Sequence, residues 1–487
     1  MILSRHPLLI ILGLLALLPS CVNLRSVNTS LDKVDPDEGY RPFSDENNWE
    51  PGHVWLTLAF SGGGTRAAAF AYGVMEELRD TQFSLDGEPV RLLDEVDTIS
   101  AVSGGTFPAA YYGLFGDRIF DEFEARFLNR NVQRDLIIQA IRPWNLVRLF
   151  SPSFSRSLLA MDFYNKHVFD GATFADLHAA GGPHIHINAT DLSHGYRFTF
   201  NQGQFDFICS DLDKFPVAAA VAASSAVPVL LSPITLRNYA GTCGFSAPDW
   251  IEQSLDQGKA DRRRFEAALS FSDFMDADTR PYIHLVDGGI ADNLGLRFSI
   301  ELVSAAGGAK DLLDRLSVVP PEHFIVIVVN AETDPNPTID LSAKAPSFAA
   351  LMGSVSGSQI RRYNLETLLL AEESVKQFSN LFSKETGKPT EAHLIEVSFD
   401  SIGQEDRKKY FKRIPTSFSL KGETVNELRQ AGRDLLRLNP LFQDFLRNIK
   451  GRSLSCSTPD HTPENVDAGA QHEQPGCPRG VDDASDS

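Results

Sequence analysis

The sequence lacks any cluster of basic residues. It carries 45 lysines and arginines against 64 aspartates and glutamates, giving a net charge of −19, and no basic run is longer than Arg262–Arg264. Proteins that bind nucleic acid neutralise its phosphates with grouped lysine and arginine side chains. The composition therefore argues against nucleic acid as a partner. The chain has 487 residues, 43% of them hydrophobic, which is enough for one large α/β core with additions.

Long apolar runs are also absent. The longest, Leu8–Leu18, follows Arg5 and His6 and is too short to cross a hydrocarbon layer, which needs about 20 helical residues. A charged start before a short apolar stretch is typical of a secretory signal, which we assign to residues 1–20. The run ends in Leu-Pro-Ser-Cys, which resembles a bacterial lipobox in which Cys21 is lipidated and becomes the first mature residue. A simple signal peptide followed by an unrelated cysteine is the alternative.

Metal-binding patterns are missing as well, because no CxxC and no Cys/His spacing of a metal site occurs.

The residue after the lipobox cysteine is Val22 and not aspartate. By resemblance to lipoprotein sorting, this favours anchoring in the bacterial outer membrane. Export to an oxidising compartment permits disulfides. Three pairings are possible for the four remaining cysteines, Cys209, Cys243, Cys456 and Cys477. Free buried thiols are an equal alternative for the first two.

Composition divides the chain into four parts. After the signal, residues 21–50 are rich in aspartate, serine and asparagine, and we interpret them as a polar tether. Residues 51–450 are predicted to form the folded domain, with a core over about residues 54–330. Residues 451–487 are polar and contain no aromatic side chain, so they are predicted to be a disordered tail.

Between the two ends, strand-like and helix-like segments alternate, which predicts a mainly parallel sheet covered by helices on both faces. The predicted strands are Val54–Phe60, Val96–Val102, His184–Thr190, Tyr282–Asp287, His323–Asn330 and His393–Phe399. Ligands of such sheets bind beyond the carboxyl ends of the strands. Three of these ends carry glycine and polar residues, and they are the candidate site.

Ser103 follows the second predicted strand. A sharp strand-to-helix turn can present a serine hydroxyl, and it requires small residues two positions before and two after. Here these residues are Ala101 and Gly105, with Gly104 between the serine and the second of them. The usual pattern is GxSxG, and this one is AxSxG. An ordinary loop after a strand is the alternative.

The first predicted strand is followed by Gly62–Gly64, then by Thr65 and Arg66 at the start of an amphipathic helix. Glycines allow backbone amides to point into a concavity, and a helix N-terminus adds positive potential, so this loop is predicted to stabilise an anion. It is neither a P-loop nor a dinucleotide fingerprint, since Ala67 stands where the last glycine would be. Because the charge of Arg66 opposes the helix dipole, we expect a specific carboxylate or backbone partner for it. A flexible connector is the alternative.

A serine nucleophile needs a base. The obvious candidate is a histidine, but no histidine after the predicted strand Tyr282–Asp287 is suitably placed. His323 and His393 precede their strands, at the opposite end of a parallel sheet, and His461 and His472 lie in the predicted tail. Too few strands precede Ser103 for an α/β-hydrolase. A Ser-His-Asp triad is therefore excluded by position.

What remains is Asp287, followed by Gly288 and Gly289 at the end of the fourth strand. It can take the proton of Ser103 directly, provided that burial raises its pKa towards neutral pH. A tight turn without chemical function is the alternative for these three residues.

Taken together, GGGTR, AVSGG and DGG, in this order, resemble the patatin-like phospholipases. The segments AASSAVPVLLSPI (Ala222–Ile234) and NATDLSHGYRFTF (Asn188–Phe200) strengthen the resemblance, which covers Val54–Asn330 and extends towards Phe399. It implies a three-layer α/β/α fold with a mainly parallel central sheet, and a Ser/Asp dyad at the carboxyl ends of its strands.

The resemblance also implies a function. The chain would be a hydrolase that cleaves acyl esters of phospholipids or lysophospholipids without metal or cofactor. Ser103 would be its nucleophile, Asp287 its base, and Gly62 to Arg66 its oxyanion loop. The chain departs from the family pattern at Ala101 and Ala67. A non-catalytic membrane-anchored lipoprotein, and an esterase or peptidase acting on non-lipid substrates, remain alternatives.

Three further segments carry predictions of their own. The long interval Asn238–Arg280 is predicted to be an insertion that borders the pocket as a lid. Phe120–Phe169 mixes apolar residues with arginine, which suits either a lipid-facing surface or a helix pair packed on the sheet. Pro346–Phe378 is predicted to form surface helices packed on the core.

Overall fold

The computed structural model of the protein describes residues 26–42, 54–85, 88–149, 154–228, 230–316, 319–334 and 339–449. The predicted signal, Cys21, the predicted tail, and Cys456 and Cys477 lie outside the described residues.

The centre of the fold is an eight-stranded sheet with the order β12-β11-β2-β5-β6-β10-β9, in which β7 also pairs with β6. Two small antiparallel pairs, β1 with β8 and β3 with β4, lie outside it. The strands are β1 Thr29–Ser30, β2 Val54–Phe60, β3 Gln82–Leu85, β4 Glu88–Arg91, β5 Val96–Val102, β6 His184–Asp191, β7 Arg197–Thr199, β8 Ser210–Asp211, β9 Ile234–Arg237, β10 Tyr282–Val286, β11 His323–Asn330 and β12 Glu391–Ser398.

Helices connect these strands and cover the sheet. They are α1 Gly64–Asp80, α2 Thr106–Phe115, α3 Arg118–Phe123, α4 Val132–Ala140, α5 Pro143–Leu149, α6 Arg156–His167, α7 Phe174–Ala179, α8 Gln202–Asp206, α9 Val217–Ser224, α10 Asp249–Gln257, α11 Arg262–Phe274, α12 Gly289–Asp292, α13 Arg297–Ala306, α14 Ala309–Leu316, α15 Phe348–Thr386, α16 Glu405–Phe411, α17 Gly422–Arg437 and α18 Pro440–Asn448. None of the helices in the described part of the chain is long and apolar enough to span a membrane.

Alternation along the buried strands creates two cores. In β11, Ile325, Ile327 and Val329 face the larger core, which includes α1, α2, α9 and α17, while Phe324, Val326 and Val328 face a second core made with α13 to α15. A strand buried on both faces is therefore apolar throughout, as in parallel sheets. The predicted three-layer α/β/α fold is confirmed.

One strand direction differs from the prediction. β12, β11, β2, β5 and β6 are mutually parallel, but β10 runs antiparallel to β6 and to β9. The alternation of strands with helices did not reveal this direction, because an antiparallel neighbour can follow a long helical connection as readily as a parallel one. Asp287 therefore enters the site from the direction opposite to Ser103.

The predicted tether is wrong for residues 26–42, which pack on the domain. Asn28 donates from its side chain to the Ser210 hydroxyl and to the Arg237 carbonyl, at 3.0 and 2.9 Å. The buried Tyr40 hydroxyl accepts the Ile185 amide at 2.6 Å. The polar composition that suggested a tether instead supplies hydrogen bonds to the domain surface.

The predicted insertion Asn238–Arg280 forms α10 and α11, and α11 packs beside β7. Phe274 of α11 lies against Phe198, with ring centroids 5.6 Å apart. A disulfide joins Cys209 to Cys243 and ties the start of this segment to the loop before β8. Of the alternatives left open for these two cysteines, the structure has the disulfide.

Helix α1, which carries the glycine loop, is fixed by α17. A Cβ at Gly73 would lie 2.0 Å from the Arg429 carbonyl oxygen, so the two helices approach with their backbones almost in contact. Arg429 and Arg437 also form ion pairs with the buried carboxylates of Glu76 and Glu77. The second half of α1 is thus held closely against α17.

Candidate active site

Ser103 stands on a sharp turn directly after β5. Its backbone has a φ of +49°, which is uncommon for a residue other than glycine, and residues 103–105 form one short 3₁₀ turn before α2. A Cβ at Gly104 would lie 2.1 Å from the Gly64 carbonyl oxygen, and one at Gly105 would lie 2.8 Å from the Ser61 carbonyl oxygen. The small residues of the AVSGG motif are therefore required by the close approach of the glycine loop. Ala101 is fully buried within the sheet.

The Ser103 hydroxyl donates a hydrogen bond to Asp287 Oδ2 at 2.8 Å. The other carboxylate oxygen, Oδ1, accepts the Gly289 amide at 2.8 Å. Burial of the carboxyl raises the pKa of Asp287 to about 6, although the Gly289 and Ser103 hydrogen bonds act in the opposite direction. This carboxylate can therefore accept a proton from Ser103 near neutral pH.

Asp287 is positioned by the backbone on both sides of it. The Asp287 amide donates to the Ala226 carbonyl at 3.1 Å, and the Asp287 carbonyl accepts the Thr190 hydroxyl at 2.8 Å. A Cβ at Gly288 would lie 2.2 Å from the Asn188 carbonyl oxygen, so glycine is required there. The DGG motif is thus a turn pressed against β6.

The glycine loop lies next to the serine turn. The Gly62 amide donates to the Asn293 carbonyl at 3.0 Å, and the Thr65 amide to the Ser417 carbonyl at 2.8 Å. Between them, Gly63 and Gly64 have φ values of +146° and +60°. Of the predicted oxyanion loop, the amides of Gly63 and Gly64 are therefore the candidates for binding a negatively charged oxygen, whereas those of Gly62 and Thr65 already have acceptors.

Arg66 has the backbone partners that its position predicted. Its Nε donates to the Ala331 carbonyl at 3.0 Å and its Nη1 to the Ile414 carbonyl at 2.7 Å. Burial lowers the pKa of Arg66 to about 10, which leaves it charged at neutral pH. This guanidinium ties the glycine loop to two distant loops and places a positive charge beneath it.

These groups line one cavity of about 480 Å³. Its residues from the three motifs are Gly62, Gly63, Arg66, Ser103 and Asp287, and apolar side chains of its wall include Val227, Pro228, Leu230, Ile290 and Ile360. Helix α15 supplies one side through Gly353, Ser356, Gly357 and Arg361. The segment Pro346–Phe378 therefore borders the site, while no lining residue comes from Asn238–Arg280, and the prediction of a lid there is wrong.

Two residues that hold the site together were not singled out from the sequence. The Ser224 hydroxyl accepts the Ser103 amide at 2.8 Å and donates to the Asn188 carbonyl at 2.6 Å, while the Ser224 carbonyl accepts the Gly288 amide at 3.1 Å. Asn293 fixes Gly62 as described above. Both lie in recognisable places, at the end of the alanine-rich helix and six residues after Asp287, but only the fold shows what they contact.

His461 and His472 lie outside the described residues, and the other histidines considered from the sequence lie apart from Ser103. His323 and His393 both contact Glu391, at 2.8 and 2.7 Å, near the amino end of β11 and β12. His284 on β10 contacts the Thr235 hydroxyl at 2.9 Å. Among the described residues, no group of three His, Cys, Asp or Glu side chains is arranged to hold a metal ion.

Comparison with known proteins identifies the fold and its family. Residues 58–299 match the family described as patatin-like phospholipase, a range that includes all three motifs. The chain belongs to this family, and the resemblance seen in its sequence is confirmed. The family is one of lipid acyl hydrolases.

Curated proteins and solved structures add little to this assignment. No curated protein matches the chain. Among solved structures, the human GIVD cytosolic phospholipase A2 matches with 11% sequence identity and a TM-score of 0.29, over 62% of this chain and 51% of that one. The match thus spans about half the length of that phospholipase.

The contacts of Ser224 predict that its hydroxyl keeps Ser103 in place. Ser224→Ala leaves the buried Ser103 amide and Asn188 carbonyl without partners, at a cost of about 1–3 kcal/mol. When about 1.4 kcal/mol of this cost falls on the reactive geometry, covalent labelling of Ser103 by a fluorophosphonate slows about tenfold. Ser225→Ala is the matched control, since the neighbouring hydroxyl donates to the Val221 carbonyl at 2.7 Å and not to the Ser103 turn. Equal labelling rates in the two folded variants would contradict this role.

Proposed function

We propose that this chain is a serine hydrolase that cleaves acyl ester bonds of phospholipids or lysophospholipids through a dyad of Ser103 and Asp287. The observation that carries the proposal is the 2.8 Å hydrogen bond from the Ser103 hydroxyl to the buried Asp287 carboxylate, at the wall of a cavity of about 480 Å³. Family membership supports the same class of reaction.

In the first step, Ser103 Oγ attacks the carbonyl carbon of the ester while Asp287 Oδ2 takes its proton. The tetrahedral intermediate places a negative charge on the former carbonyl oxygen. In this proposal the amides of Gly63 and Gly64 donate to this oxygen, and each such donor contributes ~3–4 kcal/mol in measured cases. The bond to the alcohol oxygen then breaks, and Asp287 returns the proton to that leaving oxygen, which leaves an acyl group on Ser103.

In the second step, a water molecule replaces the departed alcohol. Asp287 takes a proton from this water as its oxygen attacks the acyl carbon, and the same amides stabilise the second tetrahedral intermediate. Collapse of that intermediate breaks the bond to Ser103 Oγ, which recovers its proton from Asp287. The products are a free fatty acid and the unmodified enzyme.

The raised pKa of Asp287 supports its role in both steps. A carboxylate with an ordinary pKa near 4 is a weak base, and general bases work best when their pKa lies near the operating pH. With a pKa of about 6, most of Asp287 is ionised at pH 7 and yet it is a stronger base than an exposed aspartate. Histidine is not needed for this chemistry.

A lipid substrate is favoured over a small ester by the walls of the cavity. Val227, Pro228, Leu230, Ile290 and Ile360 offer apolar surface on which an acyl chain can be buried. Each buried methylene of such a chain contributes ~0.8 kcal/mol, so a long chain gains far more than an acetyl group.

The chain is further proposed to be an exported lipoprotein anchored through Cys21, with the outer membrane as its location. The disulfide between Cys209 and Cys243 supports export, since disulfides persist mainly in oxidising compartments. We predict that mass spectrometry of the mature protein finds a lipid-modified Cys21 at the N-terminus, and that Cys21→Ser moves the protein out of the membrane fraction. An unmodified Cys21, or cleavage elsewhere, would exclude the anchor.

Substitution of the dyad tests the proposed reaction. Ser103→Ala and Asp287→Asn are each expected to lower release of fatty acid from phospholipid vesicles by at least a thousandfold, because the nucleophile or its base is lost. His284→Ala, His323→Ala and His393→Ala are the matched controls and are expected to retain activity within about threefold. Circular dichroism checks that every variant is folded. Loss of activity in a folded histidine variant would contradict the dyad.

A further inference from the structure

Helices α4 and α5 carry apolar side chains that face outward. Ile141 and Trp144 are 66% and 74% exposed, although large apolar residues usually lie inside a domain. Ile137, Ile138 and Leu146 of the same two helices are also exposed, and we call the outward side of these helices the α4–α5 surface, defined by Ile137, Ile138, Ile141, Trp144 and Leu146. An exposed apolar patch of this kind marks a binding surface.

The charge around this surface is positive, although the chain as a whole carries −19. Arg134 and Arg142 are exposed and form no ion pair with the residues that the structure describes. The only carboxylate between residues 132 and 149, Asp135, is paired with Arg130 at 2.7 Å. Outward apolar side chains interspersed with unpaired arginines are typical of a helix that lies in a membrane interface with anionic lipids.

The α4–α5 surface adjoins the cavity on two sides. At the start of α4, the Gln133 amide contacts the Phe418 carbonyl at 3.4 Å and its side-chain oxygen accepts the Ser417 hydroxyl at 3.3 Å. Ser417 is the residue that holds the glycine loop through the Thr65 amide. The surface therefore begins beside the predicted oxyanion loop.

The second connection runs through α6. Helix α6 contacts α4. The Ser157 hydroxyl of α6 donates to the Ser232 carbonyl. Ser232 follows the loop that contains Val227 and Leu230, which line the cavity. Leu230 is 67% exposed, and Ile290 across the cavity is also exposed. Apolar side chains are thus exposed both on the two helices and at the rim of the cavity.

The start of the described N-terminal segment contacts the domain at the end of the sheet where β5 and β6 terminate, which is also the end that carries the cavity. The Asn28 side chain donates to the Arg237 carbonyl at 2.9 Å. Arg237 of β9 pairs with Tyr282, the first residue of β10. Because β10 runs antiparallel to β6, Tyr282 lies beyond the carboxyl end of β6. Ser103 and Asp287 lie at the level where β5 and β6 end. Cys21 lies five positions before Ser26, a reach of at most ~18 Å. An anchor at Cys21 would therefore hold the end of the domain that carries Ser103 and Asp287, and not the opposite end, close to a membrane.

We propose that the α4–α5 surface docks on an anionic phospholipid bilayer and holds the rim of the cavity at the bilayer surface. This inference rests on the proposed function only in that the bilayer supplies the substrate, since docking itself needs no hydrolysis. A second copy of the chain or another protein is the competing occupant, and neither explains why the unpaired arginines lie beside the exposed apolar side chains.

Tryptophan fluorescence tests docking without hydrolysis. The full chain with Ser103→Ala is reconstituted with vesicles of phosphatidylglycerol and phosphatidylcholine whose acyl chains are brominated, and quenching is compared with that of the same protein carrying Trp144→Phe. Both proteins also carry Trp49→Phe and Trp250→Phe, so that Trp55 and Trp144 are the tryptophans compared. Trp55 is buried, whereas Trp144 is exposed, so we expect the quenching to fall by at least half in the Trp144→Phe protein. We also expect weaker quenching when phosphatidylglycerol is omitted. Equal quenching with and without Trp144, or no quenching by either vesicle, would overturn the proposal.

Hydrolysis provides the second readout. With Ile137→Glu and Ile141→Glu combined, release of fatty acid from phosphatidylglycerol vesicles is expected to fall about fivefold or more, while cleavage of a monomeric soluble ester stays within twofold. Val319→Glu is the matched control, because Val319 is 67% exposed but precedes β11 at the opposite edge of the sheet. Equal losses on both substrates, or an equal effect of the control, would overturn docking. Absence of any hydrolysis by the unmodified protein would instead refute the proposed function and leave the fluorescence test to decide docking.

Discussion

The hydrogen bond between the Ser103 hydroxyl and the buried Asp287 carboxylate is the interaction on which the rest of the site depends. At 2.8 Å it joins two residues that are 184 positions apart in the chain. Burial of the carboxylate is unfavourable for its charged form, and this cost is what raises the pKa of Asp287 to about 6. Burial thus disfavours the ionised carboxylate and, because it raises the pKa, makes that carboxylate a stronger base. The Gly289 amide limits the shift and fixes which oxygen faces the serine.

Such a contact requires that several backbone segments approach more closely than side chains permit. A Cβ at Gly64, Gly104 or Gly288 would lie under 3 Å from a backbone oxygen of a neighbouring segment, and each of these glycines belongs to a different motif. Ser224 joins two of these segments, because its hydroxyl holds the Ser103 amide and its carbonyl holds the Gly288 amide. The glycines thus allow the approach, and the hydrogen bonds of Ser224 define its geometry.

The sequence was informative where function depends on local structure. The turn at Ser103 needs small neighbours, the anion loop needs glycines, and buried strands are apolar throughout, so the α/β/α fold and the candidate residues followed from the sequence and its family resemblance. It was uninformative where pairing is non-local. The antiparallel direction of β10, the packing of residues 26–42 through Tyr40 and the wall formed by α15 depend on tertiary contacts that no local pattern encodes. The amides of Gly62 and Thr65 also have acceptors that only the fold reveals.

Asp287 is proposed to serve alone as the base for Ser103. The pH dependence of kcat/KM tests this role most directly, since this quantity reports the ionisation of groups in the free enzyme. Burial raises the pKa of Asp287, and the base must be deprotonated to accept a proton, so hydrolysis of a soluble ester should rise with pH and level off above a midpoint near 6. The midpoint should stay unchanged in His284→Ala, His323→Ala and His393→Ala. A midpoint that moves or disappears in a folded histidine variant, or a rate that shows no rise between pH 4 and about 8, would contradict the account.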